Sequence, residues 1–135
     1  MTTPELYALA ARHRIDVCAF PLPRCKSLAV RDAGGRCAVG LDPSLSGQAE
    51  RVRMAHELGH CFTGGFYGGT VSPWLRAHCE HKADKWAITH LIPRAQLERA
   101  RREGLREPWQ LAERFALPED FVIQAIAYYK DGGKL

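Results

Sequence analysis

No stretch of this chain approaches the roughly 20 consecutive apolar residues that a membrane-crossing helix needs. The opening Met1-Thr2-Thr3-Pro4-Glu5 also lacks the basic-then-apolar order of an export signal. Neither a membrane span nor signal-led export is expected. Cysteine is sparse and shows no pairing pattern. Cys18, Cys25, Cys37, Cys61 and Cys79 are odd in number and contain no C-x-x-C spacing. That argues against a disulfide framework and predicts reduced, mostly buried thiols in a cytoplasmic protein. There is no internal repeat, no low-complexity tract and no evident linker, so the 135 residues form one expected domain, long enough for a modest core. A strong charge of one sign is missing too. The net charge of +4 permits attraction to an acidic partner but does not indicate nucleic-acid binding.

What is present alternates between short strands and amphipathic helices. Thr3-Pro4-Glu5 predicts a helix start with proline in the first turn, running to about Ala11. Ile15 to Phe20, Ser27 to Arg31 and Arg36 to Leu41 read as strands, the last two joined as a hairpin through Asp32-Ala33-Gly34-Gly35. A helix follows from Gly47 or Gln48 to Thr63, stopped by Gly64-Gly65. Beyond the glycine-rich loop Gly64 to Ser72, a second long helix runs to about Leu91, ahead of Pro93. Arg94 to Glu103, Pro108 to Ala116 and Pro118 to Tyr129 are three further helices, with Gly132-Gly133 a frayed end. Glu98 with Arg102, and Arg99 with Glu103, are spaced as solvated ion pairs on the first of these.

The helix from Gly47 to Thr63 carries His56-Glu57-Leu58-Gly59-His60. Histidines four apart share one helix face, so His56 and His60 are aimed at one point, as a zinc ligand pair requires. Glu57 stands where a general base for metal-assisted hydrolysis belongs. The helix is apolar around most of its circumference, and two imidazoles and a carboxylate there are costly unless a metal satisfies them.

Catalytic zinc takes a third protein ligand and keeps one position open. Glu80 lies 20 residues after His60 in Glu80-His81-Lys82-Ala83-Asp84, with Ala83, Asp84 and Ala87 on the same helix side. Glu80 is the expected third ligand, and His78 and His81 are the competing ones. Asp84, one turn on, is placed to accept the outer N–H of a ligand imidazole. Small Ala83 and Ala87 permit close packing against Gly59. Manganese or iron also suits these donors.

These segments, with Cys61-Phe62-Thr63-Gly64-Gly65-Phe66-Tyr67, Trp86-Ala87, Leu91-Ile92-Pro93 and Glu107 to Phe115, resemble the ImmA/IrrE family of zinc metallopeptidases over roughly residues 16 to 130. The resemblance implies an α+β fold of the gluzincin type. A small, mostly antiparallel three-stranded sheet would pack on the active-site helix pair of residues 1–92, followed by C-terminal helices over residues 93–135. It implies zinc on His56, His60 and Glu80, with Glu57 catalytic. It also implies a substrate protein, often a repressor encoded on a prophage or another mobile element. No repressor domain is seen in this sequence, so the substrate is expected to be a separate protein. His90 departs from the aliphatic residue usual before Leu91.

Metal-assisted hydrolysis also needs a group to stabilise the oxyanion, and Tyr67 and His81 are the candidates. The edge Ser27 to Arg31 is a place for an extended substrate to pair. Two rivals stand beside the peptidase reading. Leu111 to Ile126 has a helix-turn-helix rhythm, but Glu119 and Asp120 open the would-be recognition helix and would repel phosphates. A purely structural zinc site needs a fourth protein ligand, for which Cys25 is the one candidate, and leaves Glu57 unexplained.

Overall fold

Thr2 opens the first helix of the computed structural model, which describes residues 1–132. In α1 (Thr3–Arg12) the Thr2 hydroxyl accepts from the Glu5 amide while the Glu5 carboxylate accepts from the Thr2 amide. The cap falls one residue before Thr3 because only Thr2 completes this reciprocal pair with Glu5. Gly133 lies outside the described residues.

Three strands follow: β1 (Asp16–Ala19), β2 (Ser27–Arg31) and β3 (Cys37–Leu41). The expected hairpin joins β2 to β3, with Ser27 opposite Leu41 and Arg31 opposite Cys37. Its turn is closed by the Gly35 amide on the Asp32 carbonyl, with Gly35 at φ 84°. The sheet order is β1-β3-β2, and β1 runs parallel to β3. The sheet is therefore mixed, with one antiparallel and one parallel pair. Composition places β3 in the middle, since Cys37, Val39, Gly40 and Leu41 are all buried. β2 is left as an edge.

α2 (Gly47–Thr63) packs against β2 and β3, and its C-terminus turns at Gly64, φ 70°, whose amide returns to the His60 carbonyl. α3 (Pro73–Leu91), capped by the Ser72 hydroxyl, crosses α2 closely. A Cβ on Gly59 would lie 2.7 Å from the Ala83 carbonyl oxygen and 2.9 Å from its Cα. The pair is therefore seated backbone to backbone. Met54, Leu58, Ile88 and Leu91 fill the core between them, with Leu6 and Val39.

One expectation is overturned here. Cys37 and Cys61 form a disulfide, with Cα atoms 5.9 Å apart. Cys18 and Cys25 are exposed, and only Cys79 is a buried thiol. Packing of α2 beneath β3 is what brings together two cysteines 24 residues apart.

α4 (Arg94–Arg102), α5 (Pro108–Phe115) and α6 (Glu119–Lys130) complete the described chain. Arg51 of α2 donates from Nη1 to the carbonyls of Phe115 (2.8 Å) and Ala116 (3.2 Å), and the Tyr129 hydroxyl donates to the Ile92 carbonyl. These bonds dock the last helices on the pair that carries the motif. The ion pairs on these helices are Arg94–Glu98 and Arg114–Glu103 rather than the two pairs spacing suggested. His90 stacks on Trp86 with ring centroids 3.9 Å apart, which accounts for an aromatic in place of an aliphatic side chain. Among the described residues no helix is long and apolar enough to cross a membrane.

Candidate metal centre

The 3.6-residue period of α2 places His56 and His60 one turn apart, with ring centroids 4.9 Å apart. The Gly59–Ala83 crossing brings α3 near enough for Glu80 to reach both. His56 Nε2 is 2.8 Å and His60 Nε2 3.4 Å from Glu80 Oε2. The three donor atoms lie within 4.8 Å of one another.

The outer nitrogens decide whether this set suits a cation. His56 Nδ1–H donates to Asp84 Oδ1 at 2.8 Å, and His60 Nδ1–H donates to the Gly65 carbonyl at 2.6 Å. Both rings are thereby fixed with Nε2 inward, the arrangement that presents a neutral imidazole's lone pair to a metal. A Cβ at Gly65 would lie 3.2 Å from the Cys79 carbonyl oxygen, so the segment that supplies this acceptor is seated closely against α3. Two nitrogens and one carboxylate oxygen, with outer partners satisfied, fit a divalent zinc-type ion.

The electrostatics agree. Burial pulls the His56 pKa down, but hydrogen bonds to Asp84 and Glu80 outweigh it and raise it to about 10. Burial likewise lowers His60, and its bonds to Glu80 and Gly65 raise it on balance. Hydrogen bonds from His56 and His60 hold the Glu80 carboxyl well below the usual range. Protons on the imidazoles and a divalent ion are thus alternative sources of positive charge at this point.

Glu57 faces the same space and is buried, and its Oε2 accepts a 2.6 Å hydrogen bond from the Ser27 hydroxyl. Ser27 itself is 5% exposed. In the sequence Ser27 is the first residue of an edge strand, and nothing there ties it to Glu57, 30 residues on.

An open cleft of about 380 Å³ lies over these groups, with Ser27, Leu28 and Ala29 of β2 along one wall. Phe66 and Tyr67 form part of the other. The Tyr67 hydroxyl donates to Glu80 Oε1 at 2.6 Å, which, with burial, raises its pKa to about 12. His81 is exposed on α3 and is not part of the cleft wall, so it is not brought to the reacting centre. His78 is exposed too, stacked on Trp74. Cys25 borders the cleft but is not among the converging donors.

A family model described as the IrrE N-terminal-like domain, a peptidase family, matches residues 10–127. No individual curated protein matches the chain.

Proposed function

Because the chain belongs to the IrrE N-terminal-like peptidase family, we propose that it is a zinc-dependent endopeptidase. Its substrate in this reading is a separate protein, of the type of a prophage or mobile-element repressor. The observation that carries the reading is the convergence of His56, His60 and Glu80 beside a buried Glu57 carboxylate that Ser27 holds in place.

His56, His60 and Glu80 would hold a zinc ion, which when bound would supply Lewis acidity toward water and the scissile carbonyl. Glu57 accepts the proton of the attacking water and returns it to the leaving amine. The Ser27 hydroxyl, donating to Oε2, holds the carboxylate in place for that exchange. Asp84 and the Gly65 carbonyl keep both imidazoles in the tautomer the reaction needs. Tyr67, in the cleft wall, is the group assigned to the oxyanion, to which its hydroxyl turns from Glu80. The substrate lies extended along the free edge of β2, where main-chain pairing holds it without a deep specificity pocket.

Elemental analysis of the purified protein, paired with a cleavage assay on a repressor encoded beside its gene, tests this. Wild type and Glu57→Gln should both carry stoichiometric zinc, and only wild type should cut. Cleavage by Glu57→Gln, or a protein that holds no metal, overturns the reading.

A further inference from the structure

Arginines approach the cleft from three elements. Arg53, three residues before His56 on α2, is exposed and borders the cleft, and its Nη1 donates to the Cys25 carbonyl at 3.3 Å. Arg31 closes β2 with its guanidinium carbon 4.8 Å from the Phe66 ring centroid. Arg76 of α3 sits 5.6 Å from the centroid of Tyr67. Phe66 and Tyr67 are themselves cleft residues.

Among the described residues none of these three has a carboxylate within ion-pair distance, whereas Arg36, Arg94 and Arg114 each do. The acids of the cleft are already engaged, Glu57 by Ser27 and Glu80 by two imidazoles and Tyr67. Stacking uses the flat face of a guanidinium and leaves its edge N–H donors free, in a fork that matches a carboxylate.

The register sets their order. Ser27 marks the position of Glu57 along β2, and Arg31 lies four residues further, about 13 Å on at strand spacing. Cys25, on which Arg53 rests, precedes Ser27. A strand paired with β2 therefore meets Arg53 on one side of the reacting centre and Arg31 on the other, while Arg76 stands over Tyr67 in the facing wall.

We propose that the cleft selects peptide segments carrying aspartate or glutamate on both flanks of the scissile bond, Arg53 reading one flank and Arg31 the other, with Arg76 adding to the positive field of the facing wall. That the bond between the flanks is cut rests on the peptidase activity proposed above; the selection of acidic flanks does not.

The test uses the zinc-loaded Glu57→Gln protein and fluorescein-labelled peptides of one apolar core flanked on both sides by glutamate, glutamine or lysine. The glutamate peptide should bind about tenfold more tightly than the glutamine one. The lysine peptide should bind most weakly, and the preference should fade near about 1 M salt, where the screening length is ~3 Å. Adding Arg53→Gln or Arg31→Gln should each reduce the glutamate preference, and the two together should remove it, with zinc content unchanged. Equal binding of the glutamate and glutamine peptides, preference for lysine, or binding of none overturns the proposal. Digestion of a mixed peptide library by wild type separates the two readings. Cutting without acidic enrichment removes the acidic clamp and leaves the peptidase standing, whereas acid-selective binding without any cutting does the reverse.

Discussion

The Ser27 hydroxyl donates to Glu57 Oε2 across 2.6 Å, and both residues are buried. The bond links the first residue of the edge strand to the proposed proton carrier. A hydrogen bond to a charged partner contributes about 1.5–3 kcal/mol, so Ser27→Ala should lower kcat about tenfold to a hundredfold. KM and zinc content should hold, and Ser27→Thr should recover much of the loss. Steady-state kinetics with metal analysis check this; an unchanged kcat would reduce Ser27 to packing.

Asp84 acts on the metal site through His56 alone. Removing an outer partner of a ligand histidine typically costs about ten- to a hundredfold in metal affinity. Asp84→Ala should show that loss in competition against a chelator, while the helix pair stays folded by circular dichroism.

Protons and metal compete for the same imidazoles, which gives a pH signature. His56 has its pKa raised to about 10 from 6.5 in the metal-free protein. Its contribution to stability is complete below pH 6.5 and is lost as pH rises through about 10. Glu80, lowered from 4.5, contributes above that value and fails as pH falls through its folded pKa. The metal-free protein should therefore be most stable between 4.5 and 6.5 with respect to these groups. Zinc must displace the protons, so the rise in Tm on adding zinc should grow with pH across this same interval and beyond it. Thermal unfolding with and without zinc measures both slopes; a zinc effect that shrinks with rising pH would contradict the ligand set.

Gly59→Ala should destabilise although alanine is the better helix former by about 1 kcal/mol. The new Cβ meets the Ala83 backbone at under 3.0 Å, and overpacking of this kind costs about 1–3 kcal/mol. Because the same crossing carries Glu80 to the histidines, zinc affinity should fall with it. Denaturant unfolding and metal titration on one sample test the coupling.

The parts of this site that lie along one helix were legible in the sequence. His56 to His60, and Glu80 to Asp84, are each one helical turn, and periodicity alone puts each pair on a shared face. Gly59 opposite Ala83 was equally readable, because small residues at helical spacing mark a close crossing. Contacts that depend on how distant strands sit were not. Ser27 and Glu57 are 30 residues apart, and their meeting requires β2 to be an edge over α2. The parallel pairing of β1 with β3 hides for the same reason: alternation fixes which face is buried but not which neighbour a strand takes. Cys37 and Cys61 carried no spacing signal, and only the seating of α2 on the sheet joins them.

The two imidazoles are steadied by different kinds of acceptor, a side chain for His56 and main chain for His60. Single substitutions at Asp84 can detach the first. No side-chain substitution deletes the second acceptor, which goes only if the segment after Gly64 takes another path. Variants along the helices should therefore erode one half of the site by degrees. Lengthening or shortening that segment should abolish the other half outright.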